Sequence, residues 1–232
     1  MNRTCYVVAF DPGESTGYCA LSISADVLLD PTARLHKHVC IEDAGTINCA
    51  APDGHALGVN KHAGLNIFGE NEGISKMLEV VENFKTAAIV VEDFIPDMRR
   101  MDQARHTLSP VRLMAGFSYG FFENWQKWGM WEGLGLAEER IFIQDRANPK
   151  TTCTNERLKE WGLDLKGETR HARDAMRHAF YFLRLCHNLS NQTEKAAEKR
   201  HLAWPHYFVD PVAGGYVKPV RVRKPRPPGE VI

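Results

Sequence analysis

The stretch Cys5-Tyr6-Val7-Val8-Ala9-Phe10-Asp11-Pro12-Gly13-Glu14-Ser15-Thr16-Gly17 decides how this chain is read. Residues 5–10 form a short β-branched and aromatic run, which predicts a buried strand. Asp11 follows at once, so the strand delivers a carboxylate to the rim of a sheet. Gly13 and Gly17 let the backbone bend and come close to another group, such as a phosphate. A strand-ending Asp-Pro-Gly turn without any chemistry accounts for the same residues, so the stretch alone does not decide function.

Working outward, Gly17–Ile23 resumes apolar character and predicts a hairpin partner. Val39–Cys49 supplies a third strand, with Gly45 at a bulge or turn. Residues 53–73 are rich in Gly, Asn and His without periodicity and read as a long loop. Ile74–Phe84 has helical spacing, with Ile74, Leu78, Val81 and Phe84 on one stripe. Ala87–Val91 is a strand-like run that ends at Glu92. Ser109 and Pro110 start a helix that runs to Trp128, serine as cap and proline in the first turn. Ile141–Ile143 is a short strand, and Asn155–Trp161 a short helix closed by Gly162. His171–Cys186 is a strong helix with Ala175, Ala179, Phe182 and Leu183 along one side. Residues 192–200 are charged and read as a solvated helix, and the tail from Tyr216 is rich in Lys, Arg and Pro and reads as extended. Three strands followed by alternating helix and strand imply an α/β fold with a mixed sheet flanked by helices. The expected organisation is a main domain over residues 1–190 and an appendage over 191–232.

Composition narrows the function classes. The 232 residues are 44% hydrophobic and 25% charged, ordinary for a globular protein. Lys plus Arg and Asp plus Glu both number 29, so net charge is zero and any nucleic-acid partner requires basic residues segregated on one face. Cys5, Cys19, Cys40, Cys49, Cys153 and Cys186 form no C-x-x-C pair and read as reduced thiols. His36-Lys37-His38-Val39-Cys40 alternates possible ligands, but no second pair accompanies it, and a polar strand edge is the simpler reading. No segment reaches the length of a membrane span, and the apolar run at the N-terminus is too short for a signal peptide. The expected location is the cytoplasm, the host's if the chain is viral, with no membrane partner.

Two further acidic segments stand beside Asp11. In Ile89-Val90-Val91-Glu92-Asp93 a carboxylate again ends a buried strand, where desolvation is unfavourable without a cation or partner. The bland alternative is that Glu92 is the first solvated residue past the strand. Asp93 points the other way, because strand side chains alternate. In Thr169-Arg170-His171-Ala172-Arg173-Asp174-Ala175, His171 and Asp174 share a helix face and suit a divalent metal. A capped first helical turn, with Asp174 favoured by the helix dipole, is the alternative. His178 and His187 read as structural.

The order strand-Asp, strand-Glu, late helix His-x-x-Asp, inside an α/β pattern, resembles the RuvC family of Holliday-junction resolvases within the ribonuclease-H-like superfamily. The resemblance runs from about Val7 to Leu183 and is sharpest at residues 10–17, 90–93 and 171–179. It looks closest to divergent phage members. It implies that Asp11, Glu92, His171 and Asp174 are the catalytic metal ligands. It also implies a homodimer that cuts two strands of a Holliday junction or other branched DNA. Hard oxygen ligands suit Mg²⁺ or Mn²⁺. Two ions roughly 3.5–4 Å apart serve phosphodiester hydrolysis, with Asp11 between them, Glu92 on one and His171 with Asp174 on the other. Many relatives carry Asp where this chain has His171. The family's stacking aromatic falls at Ile95 here, with Phe94 one position off, and its Lys/Gly-rich segment is poorly matched by residues 148–152. Lys150 is a candidate phosphate contact.

The stripe Met114, Phe117, Phe121, Trp125 and Trp128, with Gly116 and Gly120, suits either the dimer or packing on its own sheet. Two other classes compete with the nuclease. A non-catalytic ribonuclease-H-like DNA-binding module would lack activity on branched DNA. An actin or sugar-kinase-type ATP-binding protein would use Gly214-Gly215 and bind ATP tightly, but only 17 residues follow that pair, and the His-x-x-Asp helix would be unexplained.

In the tail, Lys218, Arg221, Arg223, Lys224 and Arg226 face Glu230 as their counter-charge, and Arg221, Arg223, Lys224 and Arg226 are candidate DNA contacts. A solubilising end is the alternative. Deleting residues from Lys218 onward should weaken DNA binding and flatten its salt dependence, because log affinity falls with log salt in proportion to the phosphates neutralised. The check is affinity at several salt concentrations, and an unchanged slope returns the tail to a solubilising role.

Overall fold

A computed structural model describes residues 4–30, 32–50, 67–84, 88–94, 109–128 and 140–189. Its strands are β1 (Thr4–Asp11), β2 (Ser15–Ser24), β3 (Cys40–Asn48), β4 (Ala88–Glu92) and β5 (Ile141–Gln144). Its helices are α1 (Ala25–Leu29), α2 (Ile67–Asn83), α3 (Ser109–Trp128), α4 (Ala147–Thr152), α5 (Asn155–Glu160) and α6 (Arg170–Leu189), with a short 3₁₀ turn at Leu35–Lys37. The strands form one mixed sheet in the order β3-β2-β1-β4-β5. β1, β2 and β3 are an antiparallel meander, and β4 and β5 run parallel to β1. This is the α/β fold with a mixed sheet flanked by helices expected from the sequence. Among the described residues, no helix is long and apolar enough to cross a membrane.

Strand alternation splits the core into two layers. Val8, Phe10, Ala20, Ile89 and Val91 pack with Met77 and Val81 of α2 and Leu113, Phe117 and Phe121 of α3. On the other side Val7, Ala9, Cys19, Leu21, Ala88 and Val90 pack with Ala175, Met176, Ala179 and Leu183 of α6. The same alternation fixes the ends of the strands. Asp11 continues the Val7–Ala9 face, and Glu92 continues the Ala88–Val90 face, so both carboxylates emerge beneath α6. β5 follows suit: Phe142 belongs to the α6 side and Ile141 to the other, which places Gln144 with Glu92, its register partner.

The region read as a loop is corrected in part. Residues 67–73 are already helical, the first turns of α2. The glycines that look like breakers are there for close packing: a Cβ on Gly69 would meet the Ala50 carbonyl, and one on Gly73 would meet Cys49 Sγ. Residues 53–66 lie outside the described residues, as do residues 192–200, Gly214-Gly215 and the basic tail. The stripe on α3 is used internally. Phe117 and Phe121 are buried against the sheet, and Gly116 and Gly120 admit Ile74 and Leu78 of α2 rather than another copy. The side chains of Trp125 and Trp128 fall outside the description. His36 belongs to the 3₁₀ turn, not to a strand, and stacks on Trp161 with ring centroids 6.0 Å apart. All six cysteines are free thiols, and only Cys40 is exposed.

Gly17 has the tightest duty. It pairs with Asp11 across the hairpin, and a Cβ there would overlap the backbone of His171 and Ala172. Its role is to let α6 lie directly on β2, not to adopt an unusual turn or to approach a phosphate. Gly13 has open space around it, with Ser15 O the nearest atom at 3.9 Å from a Cβ. Gly17→Ala should therefore destabilise by about 1–3 kcal/mol or more, the usual range for overpacking against atoms that cannot move aside. Gly13→Ala should stay within about 0.5 kcal/mol, as for a surface change. Denaturant unfolding of both variants decides it, and equal effects would remove the helix-docking role.

Candidate metal centre

The site lies where the C-terminal ends of β1 and β4 meet the first two turns of α6. Phe10 is level with Val91 across the parallel β1–β4 pair, so Asp11 and Glu92 are carried to neighbouring positions one step beyond. From above, α6 contributes residues at i, i+3 and i+7, which share a face: His171, Asp174 and His178. Ala172, Ala175 and Ala179 are fully buried and keep the helix close to the strands. Thr169 anchors its start: Oγ1 accepts from Ala172 N at 3.3 Å and hydrogen-bonds Thr46 of β3. The loop after Asp11 is braced by buried Thr16, whose hydroxyl donates to Gly13 O at 2.8 Å and accepts from Gly13 N at 3.2 Å.

Asp11, Glu92 and Asp174 each offer an oxygen within 4.8 Å of the others. Glu92 and Asp174 are buried and Asp11 is nearly so. The fourth sequence candidate, His171, comes into the site through Asp11, with Nδ1 2.8 Å from Asp11 Oδ2 and the ring half exposed. Asp93 is exposed, and its N–H donates to Gln144 O at 2.7 Å. Ile95, where the family's stacking aromatic falls, lies outside the described residues.

Cations surround the acids. Lys150 Nζ is 3.2 Å from Glu92 Oε2 and 3.1 Å from Asp174 Oδ2. Its position follows from α4, an element the sequence reading did not predict, whose first turn is capped by Asp145: Oδ1 accepts from Ala147 N at 2.7 Å and Asn148 N at 3.2 Å. Exposed Arg146 places Nε 3.2 Å from Glu92 Oε1, and exposed Arg170 places Nε 3.8 Å from Asp174 Oδ2. Arg177 donates to Asp174 Oδ1 and, through Nε, to Cys153 O at 3.1 Å. The net-neutral chain thus gathers positive charge at one place.

Sequence reasoning passed over His178. It is fully buried, with Nε2 2.9 Å from Glu92 Oε2 and Nδ1 3.1 Å from Gln144 Oε1. The signal was available: His171, Asp174 and His178 have the spacing of one helix stripe.

Burial and the neighbouring Glu92 charge raise the Asp11 carboxyl above the ordinary aspartate range, against the lowering effect of the His171 hydrogen bond. Burial also pushes Glu92 upward, but the His178 and Lys150 contacts together outweigh it and hold Glu92 below its ordinary range. Three clustered oxygens, one of them on a carboxylate unfavourably charged at neutral pH, are a donor set that a hard divalent cation fits.

No protein-family model matches the sequence, and no curated protein matches it. Solved structures similar to the chain include a T. thermophilus RuvC in complex with Holliday junction substrate, with a TM-score of 0.48 and 12% identity, covering 75% of this chain and 90% of that one. A second Thermus thermophilus RuvC structure has a TM-score of 0.46 and 14% identity over the same shares.

The two shifts give opposite signs of pH dependence. A raised carboxyl binds its proton more tightly when folded, so the stability linked to Asp11 is greatest below 3.8 and is lost as pH rises through its folded value. Glu92 is depressed, so its contribution is present above 4.5 and is lost as pH falls through its folded value. With metal chelated at neutral pH, Asp11→Asn should melt above wild type and Glu92→Gln below it. Both gaps should shrink on acidification. Thermal melts from pH 3 to 7 check this, and an Asp11→Asn protein less stable than wild type at pH 7 would contradict it.

Proposed function

We propose that this chain is a divalent-metal-dependent endodeoxyribonuclease that cuts branched DNA, with the four-way junction as its leading substrate. The observation that carries the reading is the convergence of Asp11 and Glu92, at the ends of adjacent strands, with Asp174 of α6, their oxygens within 4.8 Å of one another beneath a rim of cations. Carboxylates alone bind metal, and cations alone bind phosphate. The two together suit phosphodiester hydrolysis. The resemblance to RuvC-like proteins, including their phage members, supports the junction as substrate.

Mg²⁺ or Mn²⁺, two ions in the full site, would supply charge neutralisation at the phosphate and activation of the attacking water. Asp11, Glu92 and Asp174 hold the ions. His171 orients Asp11 through its 2.8 Å contact, and in this reading it would serve as a fourth ligand. Lys150 keeps Glu92 and Asp174 from repelling each other and supplies a cation within reach of a phosphate bound there. Arg146 and Arg170, at the exposed edge, face the DNA backbone. A homodimer places two such sites on one junction and cuts strands in pairs.

The test is cleavage of a panel of four-way junctions, flaps, forks and linear duplex in Mg²⁺ and in Mn²⁺. Wild type should cut the junction in preference to duplex. Asp11→Asn and Asp174→Asn should each lose more activity than the roughly 10–100-fold typical of losing an outer hydrogen-bond partner of a metal ligand, while still binding the junction. Absence of cleavage in both metals would support a DNA-binding module without catalysis, and tight ATP binding would support the kinase-type reading.

A further inference from the structure

We propose that His178, backed by Gln144, is a positioning residue that fixes Glu92 as a one-oxygen metal ligand. This rests on the metal-centre reading of Asp11, Glu92 and Asp174. His178 sits one helical turn past Asp174, and its surroundings on α6 are Ala175, Ala179 and other apolar core residues. A histidine buried there for packing alone would need no particular partner. Instead both ring nitrogens are used, and both lead to the ends of adjacent strands: Nε2 to Glu92 Oε2 at 2.9 Å and Nδ1 to the Gln144 amide at 3.1 Å.

The direction of the hydrogen bonds follows from the donor inventory. As a metal ligand Glu92 is a carboxylate, which only accepts. Nε2 must therefore carry a hydrogen and donate to Oε2. The Gln144 amide determines what Nδ1 does. As placed, Gln144 Nε2 is buried with no partner among the described residues. Oxygen and nitrogen of an amide are exchangeable assignments. Turned end for end, the amide NH₂ would donate to Nδ1 and the oxygen would take the other buried position, so in either setting Gln144 holds the ring through Nδ1.

The consequence is geometric. Glutamate has one more rotatable bond than aspartate, and an unrestrained Glu92 could swing out of the cluster. With Oε2 held by His178, Oε1 is the oxygen that a metal cation would take, in place of its contacts with Arg146 at 3.2 Å and Lys150 at 3.4 Å. The helix supplies an equivalent hold for the other acids, His171 on Asp11 and Arg177 on Asp174. Partners of this kind are worth about 10–100-fold in metal affinity.

Two polar variants separate positioning from packing. Gln at 178 extends an amide NH₂ to about where Nε2 lies, whereas Asn places its amide near Nδ1 and falls short of Glu92. Mn²⁺ affinity is measured by calorimetry and by electron paramagnetic resonance of free Mn²⁺, without DNA. His178→Asn should weaken Mn²⁺ binding roughly 10–100-fold, and His178→Gln should retain affinity within a factor of a few. Phe182→Leu, a core change on the same helix, should lower the melting temperature and leave Mn²⁺ affinity unchanged. If His178→Asn fails to fold, Gln144→Leu carries the test, since loss of the Nδ1 partner frees the ring and should also weaken binding. Wild-type Mn²⁺ affinity in a folded His178→Asn or Gln144→Leu protein, or equal losses in the Asn and Gln variants, overturns the positioning role alone. No Mn²⁺ binding by wild type overturns the metal centre and this inference with it.

Discussion

Three carboxylates within 4.8 Å of one another repel, and much of the local structure compensates that repulsion. A lysine lies against two of them, an arginine holds Asp174, and two histidines of α6 approach Asp11 and Glu92. The compensation is uneven. Glu92, with a buried histidine and a lysine, is drawn below its ordinary range, while Asp11, with a half-exposed histidine, is left above its own. Unpaired buried charge is expensive, so an unevenly neutralised cluster stores unfavourable energy that a bound cation relieves.

Holding the cluster together is a packing problem before it is an electrostatic one. Asp11 and Glu92 come to the same face because β1 and β4 are parallel and in register, and both strands are completely buried at their centres. Asp174 reaches them only because α6 lies on β2 without a side chain between them at Gly17. One added methyl at that glycine would lift the helix start, which carries His171 and Asp174. Just past Asp174, Ala175 and the rest of the small-residue face continue the same close contact.

Much of this was legible in the sequence. Short β-branched runs ending in acids revealed β1 and β4, and the parity of the apolar residues within them places both acids on one face. The helix with His171 and Asp174 was equally plain, because its apolar side repeats at helical spacing over four turns. What stayed hidden depended on partners far along the chain. The glycines at 69 and 73 look like breakers unless one knows that Cys49 and Ala50 press against them. α4 is short and contains Pro149, so no periodicity marks it, and it carries Lys150. His178 had the right spacing, but its partners Glu92 and Gln144 lie 86 and 34 residues away. Pairings across such distances are a property of the topology.

The distribution of the acids also sets an order of events during synthesis. Chains emerge from the N-terminus at about 5–20 residues per second, and early elements fold first. The β1–β2 hairpin, with Asp11 at its edge, exists as soon as its local contacts can form. His171 is 160 residues later than its partner Asp11, and Asp174 later still. Any nascent chain that stops short of α6 carries at most two of the three acids, an open sheet face and no complete carboxylate cluster. Completion of the site therefore reports completion of the fold. A chain assembled this way has no complete carboxylate cluster until the helix that closes its core is in place.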